Sequence, residues 1–340
     1  MYQQLRASCE NVPTMLCLLL LLSPLASAQS SSAYQYFLSG DARDVQPKTA
    51  PGYLLAGGGN TDDDAFRWFL SRAGGGDVVV LRASGADAYH SYFHKLAKLD
   101  SVETIVFREA AAARDPFVLE RIRNADALFI AGGDQWNYVR FWKDTPVQEV
   151  INQLIRRGVP IGGTSAGLAV LGEFAFAAEH DTVTSPQALA NPFSEKVSIV
   201  SGFLKLPGLG CLITDSHFSK RDRMGRLLVF LARIRDESKC RQVRAIAVDK
   251  RASVRLDHAG RAEVSGEGSA FFLTIRQPAK LQPGTPAQIP PVSVVAVPTG
   301  GAFNLKRWTG QRPQTVYRLT TTAGQIRSSL SGRGWYGEPK

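Results

Sequence analysis

Residues 77–81 read DVVVL, a stretch with no side chain fit to face water after its first position. A strand of that kind must be covered on both faces, which is the situation of a parallel sheet held between helices. Short apolar stretches of similar length recur at Gly52–Ala56, 102–107, 127–131 and 159–162. Helical stretches separate them at 90–99, Pro116–Asn124, 135–143 and Pro146–Arg157. A further helix follows Gly57-Gly58-Gly59, with Thr61 as its expected N-cap and Asp62, Asp63 and Asp64 in its first turn, where acids suit the helix dipole. Strand and helix in alternation predict an α/β, doubly wound, three-layer αβα sandwich.

Beyond the stretch 159–162 come a short helix to 172 and an irregular segment to about 207. A strand at Leu212–Asp215 and an amphipathic helix over 223–234 follow. From 245 onward the helices stop, and short strands are expected at 245–248, 252–256, 262–264, 270–275 and 292–297. The expected organisation is a leader over 1–28, a polar lead-in over 29–50, an α/β catalytic domain over 51–248 and a β-rich extension over 249–340. The extension either continues the sheet or packs beside it.

The leader rests on an apolar core from Met15 to Leu22 that ends, after Pro24, in Ala26-Ser27-Ala28. Small residues at −3 and −1 mark a secretory signal with cleavage before Gln29. The apolar core is too short for a bilayer crossing, which takes roughly 20 apolar residues. A secreted or periplasmic protein is expected. Two of the four cysteines leave with the leader, while Cys211 and Cys240 remain, either as a disulfide or as two free thiols. The net charge of +10 is spread along the chain rather than gathered in clusters, a solvated surface more than a nucleic-acid footprint. No zinc-finger spacing and no phosphate-binding G-x-x-x-x-G-K-[ST] is present, so no metal or other cofactor is expected.

The chemistry is expected at Gly163-Thr164-Ser165-Ala166-Gly167, which lies between a buried strand and a helix. That strand–turn–helix pattern is a nucleophile elbow: the tight turn holds its central residue in a strained conformation and leaves no room for neighbouring side chains. The Ser165 hydroxyl then stands at the carboxyl edge of the sheet, where the Ala166 N–H can stabilise an oxyanion. A serine nucleophile needs a base. His90 and His94 lie four apart and are expected on a solvated helix face; His180 falls in the irregular segment and His258 in a turn. His217 directly follows Leu212–Asp215, so it too is expected at the carboxyl edge of the sheet.

Three motifs together carry a specific resemblance: Gly132-Gly133-Asp134-Gln135, the turn around Ser165, and Asp215-Ser216-His217-Phe218 followed by Arg221, Arg223, Gly225, Arg226 and Leu227. In order and spacing they resemble the cyanophycinase branch of the S51 serine peptidases over roughly 51–273. The resemblance implies a flavodoxin-like fold related to class I glutamine amidotransferases. It implies Ser165 as nucleophile, His217 as general base, and the N–H groups of Gly133 and Ala166 as oxyanion hole. Asp134, Gln135, Arg221 and Arg223 would lie near a peptide substrate; by its spacing on the helix, Arg226 is instead expected in a surface ion pair. The family's third triad member, an acid between serine and histidine, falls near Pro186–Gln187, where no carboxylate stands. Gln187 through its carbonyl oxygen, or Glu179 or Asp181 in a shifted loop, are the candidates for orienting His217, with Glu173 a weaker one. The implied activity is hydrolysis of aspartyl peptide bonds, cyanophycin to β-Asp-Arg dipeptides. Another aspartyl dipeptidase or isopeptidase, and a secreted binding protein that has lost activity, remain alternatives. A homodimer is left open.

Overall fold

The structure, a computed structural model, describes residues 32–59, 62–311, 313–332 and 334–337. The expected leader and the Thr61 cap lie outside the described residues. The first strands are β1 (Tyr34–Gly40), β2 (Gly52–Ala56), β3 (Asp77–Arg82), β4 (Ser101–Phe107), β5 (Ala127–Ile130), β6 (Ile161–Thr164), β7 (Phe174–Phe176), β8 (Ile199–Ser201) and β9 (Leu212–Asp215). The helices are α1 (Asp63–Ser71), α2 (His90–Leu96), α3 (Pro116–Asn124), α4 (Gln135–Trp142), α5 (Pro146–Arg157), α6 (Ala166–Ala169), α7 (Ser185–Ala190) and α8 (Met224–Glu237). The chain continues through β10 (Val243–Val248), β11 (Ala252–Asp257), β12 (Arg261–Gly266), β13 (Ser269–Ile275) and β14 (Ile289–Pro298). It ends with β15 (Ala302–Asn304), β16 (Thr309–Gln311), β17 (Thr315–Thr322) and β18 (Gln325–Ser328).

Alternation along the apolar strands builds the three layers. Leu54, Val78, Val80 and Phe129 point to one face, against Phe66 and Phe69 of α1 and Phe93 of α2. Leu55, Val79, Leu81, Leu128 and Ile130 point to the other, against residues of α3, α4 and α5. Both faces are dry, as the all-apolar strands require. Strands β4, β3, β5, β6 and β2 are parallel neighbours in that order. Counted from β3 this is the doubly wound order 2-1-3-4, with β2 in the fifth place. The expected flavodoxin-like sandwich is present.

The sheet does not stop there. β11, β12, β15 and β16 extend it antiparallel beyond β2, making ten strands. A second sheet of eight runs β18-β17-β14-β13-β10-β9-β7-β8 and packs between the first sheet and α8. The β-rich portion thus both continues the first sheet and builds much of the second, and sheet pairing crosses residue 248 without a break.

Several expectations are corrected. The lead-in contains β1, which caps the open edge of the sheet antiparallel to β4, from Tyr34 opposite Phe107 to Gly40 opposite Ser101. Tyr34 and Tyr36 alternate inward, and the Tyr36 hydroxyl donates to buried Glu103 at 2.9 Å. The α1 N-cap is Asp62, accepting from Ala65 N at 3.3 Å. His90 does not share a solvated face with His94: it is buried, its Nε2 3.0 Å from Thr104 Oγ1, because this face of α2 packs on the sheet. Cys211 and Cys240 form a disulfide that ties the start of β9 to the segment after α8. With 29 residues of separation it is worth about 3–4 kcal/mol by loop closure. Among the described residues no helix is long and apolar enough to cross a membrane.

Candidate active site

Strand β6 delivers Ser165 into a conformation that only a constrained turn maintains, φ 53° and ψ −113°. Its flanking glycines are dictated by contact. A Cβ on Gly163 would lie 2.6 Å from the backbone of Gly167, and one on Gly167 would lie 2.0 Å from the Ile130 carbonyl oxygen. The serine is tied to β2 by its own N–H, which donates to Ala56 O at 3.0 Å. Beside it, after β5, Gly132 passes so close that a Cβ there would touch Ser165 Cβ at 3.4 Å. The N–H groups of Gly133 and of Ala166, the first residue of α6, have no acceptor among the described residues. Two free donors therefore stand beside one hydroxyl, the arrangement an oxyanion hole requires.

His217 Nε2 lies 2.8 Å from Ser165 Oγ. The histidine does not share the serine's sheet: β9 belongs to the second sheet, and the carboxyl ends of the two sheets meet at the site. The meeting point is the Gly57–Gly59 turn after β2. His217 N donates to Gly57 O at 2.9 Å, Gly57 N to Ala252 O at 2.9 Å, and Arg251 N to Gly58 O at 2.7 Å. A Cβ on Gly58 would fall 2.4 Å from His217 Nε2 and 3.1 Å from Ser165 Cβ. Gly58 is thus a residue the serine-centred reading missed, and its signal was the run of three glycines directly after a buried strand.

None of the expected orienters reaches the imidazole. The Gln187 carbonyl oxygen accepts from Thr184 N and Oγ1, both at 3.0 Å, closing a capping box on α7. Glu173 accepts from Cys211 N, at the opposite end of β9 from His217. Asp181 sits 3.7 Å from Lys196, and with Glu179 it lines a cleft beside the dyad. Among the described residues the only side-chain hydrogen bond of His217 is the one to Ser165.

The cleft, of about 670 Å³, is lined by Gly133, Asp134, Gln135, Glu179, Asp181, Thr182, Arg221 and Arg223 among others. Asp134 is committed to capping α4, accepting from Trp136 N at 2.9 Å. Arg226 is not in a surface pair. It is 2 % exposed, and its Nε and a terminal nitrogen reach Asp215 at 3.0 and 2.6 Å. The same guanidinium donates to Thr182 Oγ1 at 3.2 Å, a residue of the cleft's lining. Arg223 adds a third contact to Asp215 at 3.1 Å. Burial would raise the Asp215 carboxyl, but Arg226 and Arg223 outweigh it and hold the group below its ordinary range. His217 is driven down to about 4, first by burial and then by Arg221, Arg223 and Lys250, with Asp215 opposing. It is therefore neutral, and able to accept a proton, across the neutral pH range.

The Peptidase family S51 matches residues 55–191. The chain is 29% identical to the cyanophycinase of Trichormus variabilis over 69% of its own length and 76% of that protein. It is 31% identical to the cyanophycinase of Geminocystis herdmanii over 48% of its own length and 60% of that protein. Among solved structures it is similar to a peptidase from an acI-B1 Actinobacterium, with 14% identity, a TM-score of 0.49, and coverage of 76% of this chain and 98% of that one. Three glycine-bearing strand ends thus converge on one serine, in a chain that is similar to the serine peptidases of family S51 over residues 55–191 and to cyanophycinases over about two thirds of its length.

Proposed function

We propose that this protein is an exported S51 peptidase that cleaves aspartyl peptide bonds through an acyl-enzyme on Ser165, with cyanophycin as substrate and β-Asp-Arg dipeptides as product. The observation that carries the reading is the 2.8 Å contact between Ser165 Oγ and a neutral His217. Ser165 Oγ attacks the scissile carbonyl as its proton passes to His217 Nε2, and the Gly133 and Ala166 N–H groups hold the oxyanion. The imidazolium then protonates the leaving amine as the C–N bond breaks. Water, deprotonated by the same imidazole, attacks the ester and releases the acid and the serine. The cleft's lining suits a substrate with both charges, since it carries Arg221 and Arg223 as well as Glu179 and Asp181. Export is supported by the leader pattern and by the Cys211–Cys240 disulfide, which persists in oxidising compartments.

The missing orienter supports a second reading, a binding protein on the same fold. A fluorophosphonate probe and insoluble cyanophycin decide between them. Labelling of the wild type that disappears in Ser165→Ala, with release of β-Asp-Arg from the polymer, is expected. A folded wild type that neither labels nor releases dipeptide refutes the enzyme.

A further inference from the structure

His217 is surrounded by the wrong charges for a triad base. Arg221 and Lys250 approach from two different elements, the turn after β9 and the β10–β11 turn, and both act on the imidazole. Both are exposed, and neither side chain has a carboxylate partner among the described residues. Lys250 is placed by close contact: a Cβ on Gly59 would meet its Cε at 2.8 Å, one residue from the Gly58 position that abuts His217. Arg223 is different, since Asp215 already neutralises it at 3.1 Å. Asp215 is itself consumed by two guanidiniums. Of the other acids of the region, Asp249 accepts from Ser219 N at 2.8 Å and Ser269 N at 3.1 Å, Asp222 accepts from the Tyr336 hydroxyl at 2.9 Å, and Glu179 and Asp181 line the cleft that Arg221 also lines; none of them hydrogen-bonds the ring. Among the described residues His217 Nδ1 has no hydrogen-bond partner, and it is not among the fully buried unpaired atoms.

An imidazole that must become imidazolium is thus flanked by two unneutralised cations, and its second ring nitrogen has no partner among the described residues. Each cation disfavours the proton transfer, and an anion between them would reverse the effect. We infer that the substrate completes the dyad: a carboxylate of the bound peptide, held by Arg221 and Lys250, takes the place beside His217 that a built-in acid occupies in a triad. The inference rests on the peptidase reading above and adds a consequence to it. Peptides without that carboxylate bind to an enzyme whose base stays weak, so selectivity for acidic substrates arises in the chemical step as well as in binding. In cyanophycin the α-carboxylate of each arginine branch is such a group. Proton bookkeeping is unchanged, because the carboxylate stabilises the imidazolium and takes no proton.

The test uses Ser165→Ala protein, which cannot turn over, with the His217 imidazole followed by nitrogen NMR against pH. In the free protein His217 titrates near 4. Saturating β-Asp-Arg raises that midpoint by about one unit or more, the effect of an opposite charge within a few ångströms. The same dipeptide with both carboxylates amidated leaves it in place, and Arg221→Met/Lys250→Met abolishes the rise. A dipeptide that fails to bind, or that binds without raising the midpoint, overturns the inference, as does an equal rise with the amide. Release of β-Asp-Arg from insoluble cyanophycin by the wild type reads the hydrolase assignment independently. Release without a carboxylate-dependent rise refutes the completed dyad alone, and absence of release refutes the peptidase reading on which it rests.

Discussion

Replacing Asp215 by asparagine keeps the shape of the side chain and removes one buried charge. Asp215 accepts from Arg226 Nε at 3.0 Å and from a second Arg226 nitrogen at 2.6 Å, from Arg223 at 3.1 Å, and from Ser216 N at 2.8 Å. Arg226, 2 % exposed, then has no carboxylate within reach. Breaking a buried pair by deleting one partner costs about 3–5 kcal/mol, because the surviving charge stays desolvated. Arg223 is less buried and can turn toward the cleft, so the lower end of that range, about 3 kcal/mol, is expected. Urea unfolding at neutral pH, monitored by tryptophan fluorescence, measures it. The double variant Asp215→Asn/Arg226→Met should recover most of the loss, since an apolar side chain of similar length costs little in that place. A single variant that loses less than about 1 kcal/mol, the scale of an exposed pair, refutes the argument. A double variant no more stable than the single one refutes it equally.

Gly58→Ala should lower kcat/KM by about a hundredfold or more, because the new Cβ, 2.4 Å from Nε2 on a backbone at φ +93°, drives the imidazole off Ser165; unchanged turnover would show that the ring has room to spare. Glu103 is pushed up to about 7, chiefly by burial, with Arg121 at 3.3 Å opposing. A carboxyl raised in the folded state contributes fully below its unfolded value and loses that contribution as pH climbs toward 7, here about 3 kcal/mol. The stability of Glu103→Gln relative to wild type should therefore improve between pH 4.5 and 8, read from paired thermal or urea melts. His217, with its value depressed, acts in the opposite direction between 6.5 and about 4, and that contribution cancels in the comparison. A flat difference across the range would place the Glu103 charge in water.

The parallel strands and most helices were legible because their signal is local. Runs such as 77–81 admit one environment, and Pro116 and Pro146 open their helices where a missing N–H is harmless. The serine was legible for the same reason: two glycines, a strand and a helix lie within a dozen residues. Long-range pairing was not. Nothing near Tyr34 announces Phe107 as its partner, although Tyr34 and Tyr36 already alternate. Nothing near Leu212 reveals that β9 lies in a second sheet. Arg226 looked like a surface cation because its acid is eleven residues upstream on another element. The Gln187, Glu179 and Asp181 candidacies came from position in a motif, and the fold gave their side chains other neighbours: a helix cap, a cleft wall and Lys196.

Gly57 and Gly58 join four segments that are far apart in the chain: their own turn, Ser165 through Ala56, His217, and the Arg251–Ala252 backbone. A ribosome makes these in the order glycines, serine, histidine, clasp. Until residue 252 has emerged and β11 has paired with β2, the strand beside the nucleophile lacks one neighbour and its turn lacks two of its tethers. The geometry around the serine therefore waits on segments made long after it, and a growing polypeptide carries Ser165 for at least 87 residues of synthesis before the last of these contacts can form.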